Sequence, residues 1–120
     1  MSQPPDLPGA PDSRPLDIAD VPAVEIVLTV AMHLMSAAAV ACGLAEGTEE
    51  DAPTADLAEA RILITALAGL VTSAAPLLGS VHAAPLRDGL QALQRAFREA
   101  SALPDPPGMG PGEDLTGFVG

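Results

Sequence analysis

Glu25, Thr29, His33 and Ser36 are the residues whose types and spacing come nearest to chemistry in this sequence. At about 100° per residue they fall within an arc of about 80° on a helix, one polar stripe on an otherwise apolar segment. A His–Ser pair with a carboxylate nearby is the raw material of a hydrolase. One helix face, however, supplies neither an oxyanion hole nor the strained turn that presents a nucleophile. The expectation is a chain that is not an enzyme, with His33 bonded to Thr29 or to the backbone of a neighbouring helix.

A metal reading would gather Met32, Met35, His33, Cys42 and His82. Nine residues of helix turn through about 900°, so His33 and Cys42 point to opposite sides and cannot share an ion. Neither a metal nor another cofactor is expected, and the two methionines read as core filler. Cys42 is the single cysteine. It excludes an internal disulfide or a multi-cysteine zinc site and fits a reducing compartment.

Arg87, Arg95 and Arg98 form the remaining group, close together on one face of a predicted helix. The ordinary reading is a solvated face paired with Asp88 and Glu99 at helical spacing. The sharper one is a partner contact to ribosomal RNA or to an acidic protein, with the acidic tails competing for the same patch. The chain carries 16 acidic against 5 basic side chains, a net charge of −11. That balance argues against nucleic acid as the main partner, the ribosome being the one exception entertained, because phosphate binding rests on lysine and arginine. Phe97 and Phe118 are the only aromatics, too few for a base-stacking platform.

The elements that must position these residues are helical, and strand signals are absent. Residues 1–19 and 103–120 are rich in proline and acid and are expected to be disordered tails around a helical domain over 20–102. The first helix runs from about Val21 to Cys42, with Asp20 as N-cap, Pro22 in the first turn and Gly43 as a left-handed cap. An acidic loop from Glu46 to Pro53 follows. The second helix opens at Asp56, where Asp56 and Glu59 have the capping-box spacing, and ends at Ala75 before Pro76. Its seam is Ala60, Leu63, Ile64, Leu67, Leu70, Val71 and Ala74. The third starts at Pro85, ends near Ser101 and buries Leu86, Leu90, Leu93 and Phe97. Gln94 falls on its outer face with the arginines. The fold class expected is all-α, a small three-helix bundle or a helical hairpin plus a helix.

The first helix is apolar over most of its girth, and the chain offers only two others to cover it. A second copy is therefore expected to complete the burial, with Leu28, Leu34, Met35, Leu63, Leu67 and Leu70 as the self-association residues and an unknown protein as a further partner. Gly69, inside the second helix, is a candidate for close approach between subunits. The charge-free run from Ile26 to Cys42 is about 25 Å long as a helix, against a hydrocarbon core of about 30 Å, and no lysine or arginine flanks it. A buried bundle helix is expected rather than a membrane span. With no export signal at the N-terminus, the expected location is cytoplasmic.

With the helices placed, several strings stand out: His33-Leu34-Met35-Ser36-Ala37-Ala38-Ala39 with Gly43-Leu44, Asp56-Leu57-Ala58-Glu59-Ala60-Arg61, and Thr65-Ala66-Leu67-Ala68-Gly69-Leu70-Val71. Pro85-Leu86-Arg87-Asp88-Gly89-Leu90 and Ala96-Phe97-Arg98-Glu99-Ala100-Ser101 complete the pattern. Over roughly residues 18–105 it resembles the bacterial family called domain of unknown function 1844, in its high-G+C Gram-positive form. The resemblance implies a short, all-helical cytoplasmic protein and assigns a catalytic role to no position. An association of such genes with that of translation initiation factor three implies a translation-linked accessory role, a matter of association and not of mechanism.

Overall fold

The computed structural model describes residues 18–44 and 55–119; the expected N-terminal tail, apart from its last residues, and the acidic loop lie outside them. A 3-10 turn over Ile18–Asp20 leads into α1 (Ala23–Ala41). Next come α2 (Leu57–Leu78), α3 (Ser80–Ala100) and the single turn α4 (Glu113–Thr116). There is no strand among the described residues. The all-α bundle expected from the sequence is the fold observed. Helix α2 is its centre: α1 and α3 both pack chiefly against it, and α4 lies on it as well.

The end of α1 is fixed by backbone chemistry. Gly43 has φ of +84°, its N–H donates to the Val40 carbonyl at 2.9 Å, and the Leu44 N–H reaches back to Ala39 at 2.9 Å. This is a Schellman cap, which needs the left-handed residue that glycine supplies without strain. At the other end the expected cap is not made. Asp20 belongs to the 3-10 turn, and Pro22 stands at the N-cap with no side-chain bond.

At the start of α2, the Asp56 carboxylate accepts the Glu59 N–H at 3.2 Å, as the spacing predicted. The Asp56 N–H donates to the Ala41 carbonyl at 2.7 Å instead of to a Glu59 side chain. That bond joins the start of α2 directly to the last turn of α1.

Two prolines expected to bound helices sit inside them. Pro76 lies in α2, which runs on to Leu78, and Pro85 lies in α3, which already begins at Ser80. Each removes one hydrogen bond, to the carbonyls of Thr72 and Val81 respectively. Pro76, Pro85, Thr72 and Val81 are all exposed, so both interruptions lie at the surface of the bundle. Gly79, with φ of +84°, is then the only non-helical residue between α2 and α3.

The core follows the expected seams. Ala60, Ile64, Leu67 and Val71 of α2 are buried, and so are Leu86, Leu90, Leu93 and Phe97 of α3. Helix α1 contributes only Ala31, Ala38 and Ala41 from its helical span to the buried set. Its larger side chains stand elsewhere.

The segment after α3 departs from expectation. Where composition predicts a loose tail from 103 onward, the chain turns back across α2 and α3, and Pro111, Gly112, Glu113 and Val119 are buried. The physical reason is a set of specific bonds made to the helices, described next.

Candidate functional site

Two features outside the core have the geometry of a site: the clasp that holds the C-terminal segment on α2 and α3, and the outward face of α1.

Glu113 is the centre of the clasp, with its side chain 2% exposed. Its Oε1 accepts the N–H groups of Gly108 and Gly110, each at 3.0 Å. Its Oε2 accepts the Val119 N–H at 3.2 Å and Arg98 Nη2 at 2.8 Å. Four donors, one of them charged, offset the desolvation of a buried carboxylate that would otherwise be strongly unfavourable. The Arg98 guanidinium also lies over the Phe118 ring, 4.2 Å from its centroid, so it grips the segment through charge and through the ring face.

Arg61 makes a second grip at the near end of the segment. It bonds Asp105 at 2.8 Å and stands 5.0 Å from the centroid of the Phe97 ring. Between the two grips, the Gln94 amide donates to the Pro111 carbonyl and to Thr116 Oγ1, both at 3.1 Å. Gln94 is therefore buried and not on an outer face, because the returning segment covers it. Its Oε1 is buried without a hydrogen-bond partner. Gly112, at φ of +77°, passes so close to α2 that a Cβ would stand 2.5 Å from that of Ala68.

The arginine group expected to meet a partner is thus divided. Arg98 is half-buried, and it is bound to Glu113. Arg87 and Arg95 are exposed, and Arg87 lines an open groove with Val71, Thr72, Leu90, Gln91 and Leu115. The signal for the clasp was present as the run Gly110-Pro111-Gly112-Glu113, a tight-turn composition around a single acid. What it lacked was any local mark of Arg98 as the partner.

The residues expected to bind a second copy take part in packing within the chain. Leu67 is fully buried, and Leu28, Leu34, Met35, Leu63 and Leu70 pack against the core. Met35 reaches α3 at Gly89, where a Cβ would collide with its thioether methyl. Gly69 has nothing within 4 Å of the position of a Cβ, so it answers to no close approach within the chain.

The opposite side of α1 is one of several exposed apolar surfaces, others being at Ile62, Leu77, Val81 and Leu103. Ile26, Val30, Val40 and Leu44 are 37%, 44%, 46% and 55% exposed, and His33 and Ala37 between them are exposed too. The five that lie in α1, Ile26, Val30, His33, Ala37 and Val40, are spaced 4, 3, 4 and 3 apart and share one side of the helix, while Leu44 lies beyond the Gly43 cap. Sequence reasoning registered the broad apolar girth without resolving it into an inner alanine face and an outer aliphatic one.

The polar stripe lies beside this seam and is open to solvent. Thr29 donates its hydroxyl to the Glu25 carbonyl at 2.8 Å, which is a bond within the helix and not one to His33. Ser36 and His82 are exposed, and Cys42 is buried, with its thiol pushed up by desolvation. No group of three or more His, Cys, Asp or Glu side chains converges among the described residues.

Helices α1 and α2 are both long and apolar enough to cross a membrane by length and composition, a property that core helices of soluble proteins share. No curated protein and no solved structure matches the chain. A family model does, over residues 23–99, the span from the first residue of α1 to the penultimate residue of α3. By that match the three-helix unit, without the C-terminal clasp, marks the chain as a member of the family described as Domain of unknown function (DUF1844).

Proposed function

We propose that this chain is a non-enzymatic, cytoplasmic helical module that self-associates through the outward face of α1. The observation that carries the reading is the exposed row Ile26, Val30, His33, Ala37 and Val40 along α1, which no other described element covers. Exposed aliphatic side chains in a continuous row favour burial by about 25 cal/mol per Å² of apolar surface removed from water. Lipid suits the face less well than protein does. Helix α1 carries no lysine or arginine to anchor it at a layer of lipid headgroups.

Sedimentation equilibrium of the full chain at micromolar concentration is the test. A dimer or larger species is expected, and Val30→Glu with Val40→Glu should give a monomer of unchanged helicity, both sites being exposed. A wild-type monomer overturns the reading. So does retention in washed membranes through high salt and alkaline carbonate, which would make lipid the occupant.

A second reading, an accessory of the ribosome or of another translation partner, draws on the exposure of Arg87 and Arg95 along α3. The engagement of Arg98 by Glu113 narrows that face to two cations. Arg87→Glu with Arg95→Glu should then abolish co-sedimentation with ribosomes while leaving oligomer mass unchanged. The same co-sedimentation in wild type and variant discards this reading.

A further inference from the structure

The C-terminal segment lies in a trough between α2 and α3 that belongs to the family's own helical unit. Arg61, Ala68, Gln94 and Arg98, which touch the segment, fall inside the matched residues 23–99, whereas Asp105, Pro111, Gly112 and Glu113, which they hold, fall outside. The contiguous hydrophobic core extends no further along the chain than Phe97 and takes in no residue of the segment. Within the segment Pro111, Gly112, Glu113 and Val119 are buried, while Leu103, Met109, Leu115 and Phe118 stand exposed. A segment held by directed bonds and by so little apolar area leaves without opening the core.

Its fit to the trough is incomplete. Gln94 is 2% exposed and donates through its amide to Pro111 and Thr116, but the segment covers Oε1 without offering it a donor. The trough also runs on past the segment. Beside Leu115 and Thr116 it opens into a groove lined by Val71, Thr72, Leu90, Gln91 and Arg87, and Arg87 has no ion pair or hydrogen bond among the described residues. Of the three arginines along the trough, Arg61 and Arg98 hold carboxylates and the third holds none. The bound segment therefore displays the chemistry the trough accepts: acids at Arg61 and Arg98, an aromatic ring against Arg98, and a backbone carbonyl at Gln94. Those are features of an acidic peptide.

We propose that this trough is a docking site for an acidic linear segment of a partner protein, and that residues 105–119 are an internal occupant which such a segment displaces. A better occupant keeps carboxylates on Arg61 and Arg98, gives Gln94 Oε1 a donor and brings a further acid to Arg87. Tethering holds the internal segment at an effective concentration on the order of millimolar, so a partner displaces it through those added contacts or after one of its grips is broken. Self-association through α1 uses none of these residues, and the two stand or fall separately.

A fluorescent peptide copying residues 103–120, titrated into the full chain at about 0.15 M salt, tests it. Glu113→Ala in the chain loosens the internal occupant and leaves the trough intact, so this variant should bind the peptide at least about tenfold more tightly than wild type does. Gly112→Ala loosens the occupant by a different route and should act in the same direction, with circular dichroism showing in each case that the helices are kept. Arg98→Ala added to Glu113→Ala should abolish binding, and a peptide carrying Glu113→Ala should bind at least about tenfold more weakly than the parent peptide. No binding by either loosened chain overturns the proposal, and so does binding that is equal in wild type or indifferent to Arg98. A wild-type dimer that becomes monomeric with Glu113→Ala also overturns it, by making the segment of a second copy the occupant.

Discussion

Arg98 and Glu113 meet at 2.8 Å across fifteen residues of chain, and the pair holds the C-terminal segment against α3. The carboxylate is buried, whereas the guanidinium keeps about a quarter of its side-chain surface in water. The two partners therefore differ in what their removal does. An arginine released from the pair rehydrates, while a glutamate left behind is a buried charge held by three backbone N–H groups alone.

Glu113→Ala should release the segment without unfolding the bundle. The amides of Gly108, Gly110 and Val119 lose their acceptor, and their hydrogen exchange should rise to loop rates, while amides in the interior of α2 keep their protection. The loss in stability expected is about 1–3 kcal/mol, the range for hydrogen bonds to a charged group. Unchanged exchange at those three amides would show that the segment is held by something other than Glu113.

Gly112 and Gly69 should respond to alanine in opposite directions. At Gly112 the left-handed backbone and the nearness of Ala68 both act against a side chain, so Gly112→Ala is expected to cost at least about 1–2 kcal/mol in urea unfolding. Ala68→Gly should recover part of that. At Gly69 the helix is ordinary and the space is open, so Gly69→Ala should stabilise by about 0.5–1 kcal/mol. A loss there would instead reveal a second copy packed on α2 at that glycine.

These cases show which parts of the fold are written locally. The α2 and α3 seams repeat at helical spacing and are buried as their periodicity predicts, and the Gly43 cap follows from one residue. Pro76 and Pro85 mislead because the rule that proline ends a helix counts a lost hydrogen bond as if it were always buried. Here both prolines and the residues four before them, Thr72 and Val81, lie at the surface, where such a loss costs least. The C-terminal segment misleads for the opposite reason. Its glycines and prolines describe a flexible chain in isolation, and what orders it are residues far away in sequence, Arg61, Gln94 and Arg98. A helix with two apolar faces does not say which of them its own chain will use, and Leu28, Leu34, Met35, Leu63, Leu67 and Leu70 take part in packing within the chain.

Cys42 gives the chain a pH dependence that is unusually easy to isolate. Burial pushes its thiol up, so the folded state binds this proton more tightly than the unfolded state does. The sign follows from linkage: its contribution is fully present below the unfolded value near about 8.5 and is lost as pH rises from there through the folded value. The chain has no tyrosine or lysine to titrate in the same window. Urea unfolding between pH 7 and 10 should show stability falling above about pH 8.5, by no more than about 1.4 kcal/mol per pH unit. Cys42→Ala should flatten that fall, and an equal fall in the variant would assign it to another group.

On the proposed self-association, His33 sets how strongly the outward row of α1 associates. It is the one polar side chain among its five positions, and a polar residue at such a place lowers stability while fixing which alignment is allowed. His33→Leu should therefore lower the dimer dissociation constant by about tenfold, equivalent to about 1.4 kcal/mol. Sedimentation equilibrium of wild type and variant over the same concentration range reads the effect. An unchanged dissociation constant would take His33 out of the interface and move the contact to another face of the bundle.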